Sequence, residues 1–224
     1  MTCDKNPENI KNMFNEISDY YDQMNNFISL GTHYIIKILV VKALDITPRA
    51  AILDLCCGTG DFTSIISKLY PRTKIIGADF SEKMLKLAKK KNPKGVFLQT
   101  DATNLPFKEN EFDYITMGFG LRNIENRSKA LNEVFRVLKN NGKFLHLDFG
   151  AHNNISKIFD TLVPIIVKLF KKNEKHYKYL LSSKEEFPNS DALIQEFEQH
   201  GFKFIKKCDF LFGTISAQIV QKIL

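Results

Sequence analysis

One stretch constrains this chain more than any other: Ile52-Leu53-Asp54-Leu55-Cys56-Cys57-Gly58-Thr59-Gly60-Asp61. A short apolar run carries an acid near its end, passes through a turn of small residues and enters a segment of helical period. That order predicts a buried strand over 50–55, a tight turn, and a helix over 61–69 with Asp61 as its N-cap. Gly58 and Gly60 permit a sharp reversal and close approach of a ligand to the backbone. The start of the helix offers unpaired N–H groups, suited to a carboxylate or pyrophosphate on a nucleotide-like ligand. A dinucleotide fingerprint needs a third glycine where Thr63 stands, which counts against a nicotinamide dinucleotide. The plainer alternative for the stretch on its own is a tight strand–helix turn that binds nothing.

The strand-then-helix pattern repeats. Strands are predicted over Lys74–Asp79, Val96–Thr100, Asp113–Met117 and Lys143–Leu147. Helices are predicted from the Ser81 cap to Lys91 and over Arg127–Leu138, the latter ended by Asn141-Gly142. Such alternation implies a parallel sheet with helices on both faces and ligands at the carboxyl ends of its strands. Ahead of it, Phe14, Ile17, Tyr21, Met24 and Ile28 recur at helical spacing, Gly31-Thr32 breaks the pattern, and Thr32 is placed to cap a second helix. Behind it come a helix over Ser190–His200 and a hairpin of Phe204–Asp209 with Thr214–Val220 about Gly213. The 224 residues suit a single domain: a helical cap over 1–47, a core over 48–150, a lid or membrane-facing segment over 151–189, and a terminal helix with strands over 190–224.

Two further acids fall at strand ends. Asp79 closes the second strand, where a carboxylate accepts both hydroxyls of a ribose. Asp101-Ala102 follows the third, where a carboxylate can accept from an adenine amino group beside a residue small enough to admit the ring. Each position alone is weak; the series is strong, because each lies where the fold would place a ligand contact.

Lys+Arg is 32 against 25 Asp+Glu, a net charge of +7 that favours an anionic partner: nucleic acid, anionic lipid or an acidic ligand. From Lys139 to Lys184 there are nine Lys and three acids. Within that window Ile155–Lys172 is strongly apolar, which reads either as an interfacial helix against anionic lipid or as a buried helix with a solvated Lys end. The longest apolar runs, Tyr34–Leu44 and Leu162–Phe170, are too short to span a bilayer. Cys56 and Cys57 are adjacent and Cys3 and Cys208 isolated, which fits neither a metal site nor a redox pair, so no metal is expected. Met1–Asn12 is polar and lacks the apolar stretch of an export signal, which points to the cytoplasm.

The motifs extend beyond the acids. They include Tyr21-Asp22-x-Met24-Asn25, Ser29-Leu30-Gly31-x-His33, Cys57-Gly58-Thr59-Gly60-Asp61-Phe62-Thr63 and Asp79-Phe80-Ser81-x-x-Met84-Leu85. They continue with Asp101-Ala102-x-x-Leu105-Pro106-Phe107, Phe112-Asp113-Tyr114-Ile115-Thr116, Phe119-Gly120-Leu121-Arg122-Asn123, Tyr177-x-Tyr179-Leu180 and Phe187-Pro188. Together they resemble the class I S-adenosylmethionine-dependent methyltransferases and, within these, the ubiquinone/menaquinone biosynthesis C-methyltransferases. Phe119 to Asn123 is the most family-specific piece. The chain departs from the family pattern at Cys56, at Gly118, at Ile36-Lys37 and at Phe212-Gly213-Thr214.

The resemblance implies an α/β, Rossmann-like methyltransferase fold: a mostly parallel sheet with helices on both faces, N-terminal helices and a C-terminal antiparallel hairpin. It implies S-adenosyl-L-methionine as methyl donor, leaving as S-adenosyl-L-homocysteine, with Asp54, Gly58, Gly60, Thr63, Asp79, Phe80, Asp101, Ala102 and Gly118 as its binding residues. The acceptor it implies is a ring carbon of a polyprenyl hydroquinone, with demethylmenaquinol preferred and a ubiquinone-pathway benzoquinol as the alternative. Carbon becomes nucleophilic when a phenolic proton is lost, and a phenol has a pKa of about 10. Arg122 would stabilise the phenolate, Asn123 would orient a water or hydroxyl, and Asp148 would take the proton directly or through water. His146 shares the face of Asp148 and is more simply a core histidine; His33 would close the pocket, and Tyr177 would close it as a lid or act as a catalytic residue. The expected partners are the quinol, the inner face of the cell membrane and a second copy in a homodimer. No RNA-binding module or aromatic-basic stripe is present, so nucleic acid is not expected. A methyltransferase acting on RNA or another small molecule, and a non-catalytic binding module, are the competing readings.

Overall fold

The βα alternation builds a seven-stranded sheet in the order β3-β2-β1-β4-β5-β7-β6. The computed structural model describes residues 4–151, 153, 156–158, 160–161, 164 and 174–223, the side chains of 174–177 excepted. The strands are β1 (Ala51–Leu55), β2 (Lys74–Asp79), β3 (Val96–Gln99), β4 (Phe112–Gly118), β5 (Leu138–Phe149), β6 (Phe202–Phe210) and β7 (Ile215–Lys222). The helices are α1 (Pro7–Ser29), α2 (Thr32–Ala43), α3 (Asp61–Leu69), α4 (Glu82–Lys91), α5 (Arg127–Val137), α6 (Glu174–Glu185) and α7 (Ser190–Gln199). The first five strands run parallel, while β7 pairs antiparallel with both β5 and β6. Strand order reverses between β1 and β4, which opens a crevice beyond their carboxyl ends.

Strand alternation divides the core. Leu53, Leu55, Ile115 and Phe144 pack on one face with Leu131 and Val134 of α5 and Phe197 of α7. Ile52 and Leu145 point the other way, against Val40 and Val41 of α2 and Phe62 and Ile66 of α3.

Three local expectations are corrected. The N-cap of α3 is Gly60, in the left-handed region at φ 79, so Asp61 is the first helical residue and its carboxylate is free to turn elsewhere. The N-cap of α2 is Gly31 at φ 76; Thr32 Oγ1 donates to the Ser29 carbonyl at 2.6 Å instead of capping. Asn141-Gly142 does not end a helix. The helix stops at Val137, and β5 begins at Leu138 and passes through Asn141 at φ 63. Its pairing with β4 jumps from Phe112↔Leu138 to Tyr114↔Lys143, an irregularity that absorbs the extra residues. Ser81 caps α4 as expected, accepting from the Met84 N–H. Most of Ile155–Lys172 lies outside the described residues, and among those described no helix is long and apolar enough to cross a membrane.

His146 is fully buried on β5, as a core residue. Its Nδ1 lies 2.8 Å from Gln218 Oε1, and its ring stacks among Phe187 and Phe197. Burial lowers its pKa, so the folded chain resists a proton that the unfolded chain takes at about pH 6.5. The sign follows: this contribution to stability is full above that pH and is lost as pH falls. Melting temperature is therefore expected to drop between pH 7 and pH 5, and His146→Phe should remove much of that drop. An unchanged slope in the variant would refute the assignment.

Candidate active site

The site begins with Asp54, buried at the end of β1. Its Oδ2 accepts from the Thr63 amide (2.9 Å) and hydroxyl (2.6 Å), and its Oδ1 accepts from the Thr116 hydroxyl (3.0 Å). Burial raises its pKa to about 6, against the pull of these hydrogen bonds. Asp54 thereby ties β1 to α3 and β4. Thr63 is wholly buried and spends its hydroxyl on Asp54, so it acts on a ligand through the turn it holds, whereas Asp54 also reaches the wall of the larger cavity.

The two glycines of that turn do different jobs. Gly58, at φ 54, would carry a Cβ into open space, whereas at Gly60, φ 79, a Cβ would lie 3.1 Å from Ala88 on α4. Gly58 leaves room for a ligand and Gly60 lets α4 approach. Gly60→Ala adds left-handed strain of about 1–2 kcal/mol to that contact and is expected to lower the melting temperature by several degrees. A scanning-calorimetry trace identical to the parent's would contradict this.

Cys56 also holds a positive φ, of 55°. Burial, reinforced by Asp79, pushes the Cys56 and Cys57 thiols up and keeps them protonated. Both are packing residues on the cavity wall.

Two cavities adjoin at this turn. The smaller, about 280 Å³, is lined by Gly58, Asp79, Phe80, Met84, Asp101 and Ala102. Asp79 accepts from the Gly58 and Ser81 amides at 2.8 Å each, and Asp101 Oδ1 accepts from the Thr103 amide at 2.8 Å. The larger, about 420 Å³, is lined by Ile17, Met24 and Ile28 of α1, by Phe62, Phe119 and Phe149, and by Arg122 and Tyr179. Both walls share Phe14, Tyr21, Cys56, Gly58, Gly118, Phe119 and Asn123. A Cβ on Gly118 would lie 2.6 Å from the Phe62 ring, so a glycine is what admits that ring at the junction. Gly60 and Thr63 stand behind this surface, not on it.

Arg122 and Asn123 occupy a short 3₁₀ turn after β4. Arg122 Nη1 donates to Asp148 Oδ1 at 2.7 Å and to the Phe119 carbonyl at 3.0 Å, and the guanidinium lies over the Phe119 and Phe149 rings. Asp148 is fully buried, also accepts from the Phe149 amide, and does not line either cavity. The structure thus corrects its expected place: it sits behind Arg122, because alternation along a strand fixes the side but not the depth. Asn123 Nδ2 donates to the Phe119 carbonyl, and Asn123 Oδ1 accepts from the Tyr179 hydroxyl at 3.1 Å. The side chain of Tyr177 lies outside the described residues.

An ionic chain that sequence reasoning missed closes the roof. Asp61 binds Lys37 of α2 and Lys91 of α4 at 2.6 Å each, and Lys91 also reaches Asp22 of α1 at 2.9 Å. Thr59 donates to Asp22, and Ser81 donates to Asn15, at 2.6 Å each. Burial would raise the Asp61 pKa, but the two lysines overcome it and hold the carboxyl well below its usual range. Among the described residues no group of His, Cys, Asp and Glu is placed to hold a metal.

A sequence model matches residues 2–222, nearly the whole chain. The chain belongs to the ubiE/COQ5 methyltransferase family. Among curated members it is 38% identical to the demethylmenaquinone methyltransferase of Staphylococcus carnosus, covering 96% of this chain and 93% of that one. It is 37% identical to the demethylmenaquinone methyltransferase of Lactiplantibacillus plantarum, over 96% of each chain. Among solved structures, a SAM-dependent methyltransferase from Thermotoga maritima superposes with a TM-score of 0.72 at 19% identity, over 95% of this chain and 99% of that one. The [4+2]-cyclase SpnF superposes at 0.68 with 13% identity, over 94% and 95%, which shows that this fold alone does not dictate a reaction. The Rossmann-like methyltransferase fold is therefore shown, and the family makes this chain a methyltransferase with S-adenosylmethionine as its methyl donor.

Proposed function

We propose that this chain methylates a ring carbon of a polyprenyl hydroquinone, converting demethylmenaquinol to menaquinol. The observation that carries the reading is the pair of joined cavities, one edged by carboxylates and one walled by apolar side chains, with Arg122 on the apolar side. The smaller fits S-adenosylmethionine: Gly58 leaves open space beside the turn, Asp79 and Asp101 offer acceptors to ribose and adenine, and Phe80 and Ala102 flank a flat ring. When bound, the donor supplies an electrophilic sulfonium methyl.

The chain's own residues prepare the acceptor. Ile17, Met24, Phe62 and Phe119 exclude water from the ring and orient it, which is the larger part of such catalysis. Arg122 stabilises the phenolate that places charge on the ortho carbon. Asp148 holds the guanidinium in place through Oδ1, as a positioning residue. Asn123, fixed by Tyr179 and the Phe119 carbonyl, orients the second polar contact. The curated relatives' demethylmenaquinone activity supports the naphthoquinol ring. An acceptor that lives in the bilayer places the enzyme at the inner face of the cell membrane, where a net charge of +7 favours anionic lipid.

The test is methyl transfer from labelled S-adenosylmethionine to a short-chain demethylmenaquinol kept reduced, with a benzoquinol in parallel. Mass spectrometry should find one added methyl on a ring carbon of the naphthoquinol. No transfer to either ring, with donor binding intact, would overturn the proposal.

A further inference from the structure

The mouth of the larger cavity is rimmed by apolar side chains that face solvent. Leu30 at the α1–α2 turn is 86% exposed, and Phe212 at the tip of the β6–β7 hairpin is 88% exposed. Leu30 and the neighbouring Leu211 both line the cavity, so the two tips border one opening. Exposed Phe27 and Ile35 extend the patch along α1 and α2. Exposed Ile158 lies on a helical segment whose start is tied to the hairpin by Asn153, which donates to the Phe212 carbonyl and accepts from the Thr214 hydroxyl.

The backbone at these tips is as telling as the exposure. Leu30, Leu211 and Phe212 all have positive φ, of 49, 49 and 55°. Glycine and asparagine fill such positions at least cost. Here large apolar residues fill them and project outward, a choice that serves neither the fold nor solubility.

We infer that this rim is a membrane-docking surface, in which Leu30, Phe212 and their neighbours enter the apolar boundary of an anionic bilayer. The inference rests on the proposed acceptor. A cavity of about 420 Å³ is near the small end for ligand sites, so a chain of several isoprene units must leave through this opening. Whatever covers the rim must then be continuous with hydrocarbon. A second copy or a folded segment would block the path that the tail needs. Lys178 is exposed next in sequence to Tyr179 and Leu180 of the cavity wall, and exposed Lys157 lies on the segment that Asn153 ties to the hairpin; both suit anionic headgroups.

Two variants of Phe212, which lies outside the cavity wall, test the surface. The chain contains no tryptophan, so Phe212→Trp is a lone reporter. With vesicles of phosphatidylcholine and phosphatidylglycerol its emission should shift to the blue and be quenched by brominated acyl chains. Phe212→Gly relieves the positive φ, so the melting temperature should hold or rise while vesicle partitioning falls about tenfold. Its methyl transfer to a short-chain quinol in solution should be unchanged, and transfer to a long-chain quinol in vesicles should fall with partitioning. Unshifted tryptophan emission, or undiminished partitioning of Phe212→Gly, overturns the docking surface. So does a concentration-dependent dimer that Phe212→Gly dissolves, with no binding to vesicles. Vesicle binding that depends on Phe212, with no methyl transfer to any quinol, would leave the surface standing and remove the acceptor assignment.

Discussion

Arg122→Ala is expected to slow methyl transfer about a hundred- to a thousandfold while donor affinity stays within about twofold. A guanidinium about 4 Å from a developing phenolate, at an effective dielectric of about 20, contributes at most about 4 kcal/mol, equivalent to about 3 pKa units, and the Asp148 carboxylate behind it offsets part of this. That brings a phenol from a pKa of about 10 toward neutrality, where solvent can take the proton. The pH profile is the decisive readout. The parent rate should level off near neutrality, whereas the variant's should keep rising into the alkaline range. A structural effect will accompany it. Removing Arg122 leaves Asp148 buried without its cation, which costs about 3–5 kcal/mol. Rates must therefore be measured below the variant's melting transition. Asp148→Asn keeps the shape but leaves the nearly buried guanidinium without its counter-charge, so it too should lower the melting temperature, while retaining more activity than Arg122→Ala because the cation facing the cavity is kept. Full turnover in Arg122→Ala would end the phenolate role.

Asp79→Ala should weaken donor binding at least about a hundredfold, read by calorimetry with S-adenosylhomocysteine. The residue is half-buried and its two carboxylate oxygens accept from the Gly58 and Ser81 amides, so it shapes the turn as well as facing the cavity. Truncation removes the acceptor for the ribose hydroxyls and strands two amides. Hydrogen bonds to a charged group contribute about 1.5–3 kcal/mol each, and two suffice for the stated loss. At saturating donor the turnover should recover to within a few-fold, because no reacting atom is touched. Asp79→Asn keeps one acceptor and should fall between. Affinity within threefold of the parent would show that the donor does not rest on Asp79.

The convergence of three acids beside the strand–helix turn was legible in the sequence for a physical reason. In a parallel sheet the strand ends converge, so Asp54, Asp79 and Asp101, each near one, had to come together. Their division of labour was not legible. Spacing places Asp54 and Thr63 beside the turn but does not show that they bind each other. Tyr179 could not be weighed against Tyr177 from sequence, since its bond to Asn123 spans 56 residues and depends on how α6 docks. The Asp22–Lys91–Asp61–Lys37 chain escaped for the same reason. It joins four helices: Asp61 reads in isolation as an N-cap, and nothing local to Asp22, Lys37 or Lys91 says which charge each will meet. Asp148 was assigned the right strand and face, and only the depth of burial put Arg122 between it and the cavity.

The position of β7 has a consequence for how the chain assembles. It is later in sequence than both strands it joins, yet it lies inside the sheet, between β5 and β6. Its partners on β5, Lys143 to Phe149, precede it by some seventy residues. During synthesis β5 therefore waits with an open hydrogen-bonding edge while β6 has no sheet to join. The half of the sheet built from β1 to β4 can form early, from short-range βα units, and the half carrying Asp148 closes last. Folding intermediates should accordingly expose the β5 edge, and that edge is where self-association of the nascent or heat-stressed chain should begin.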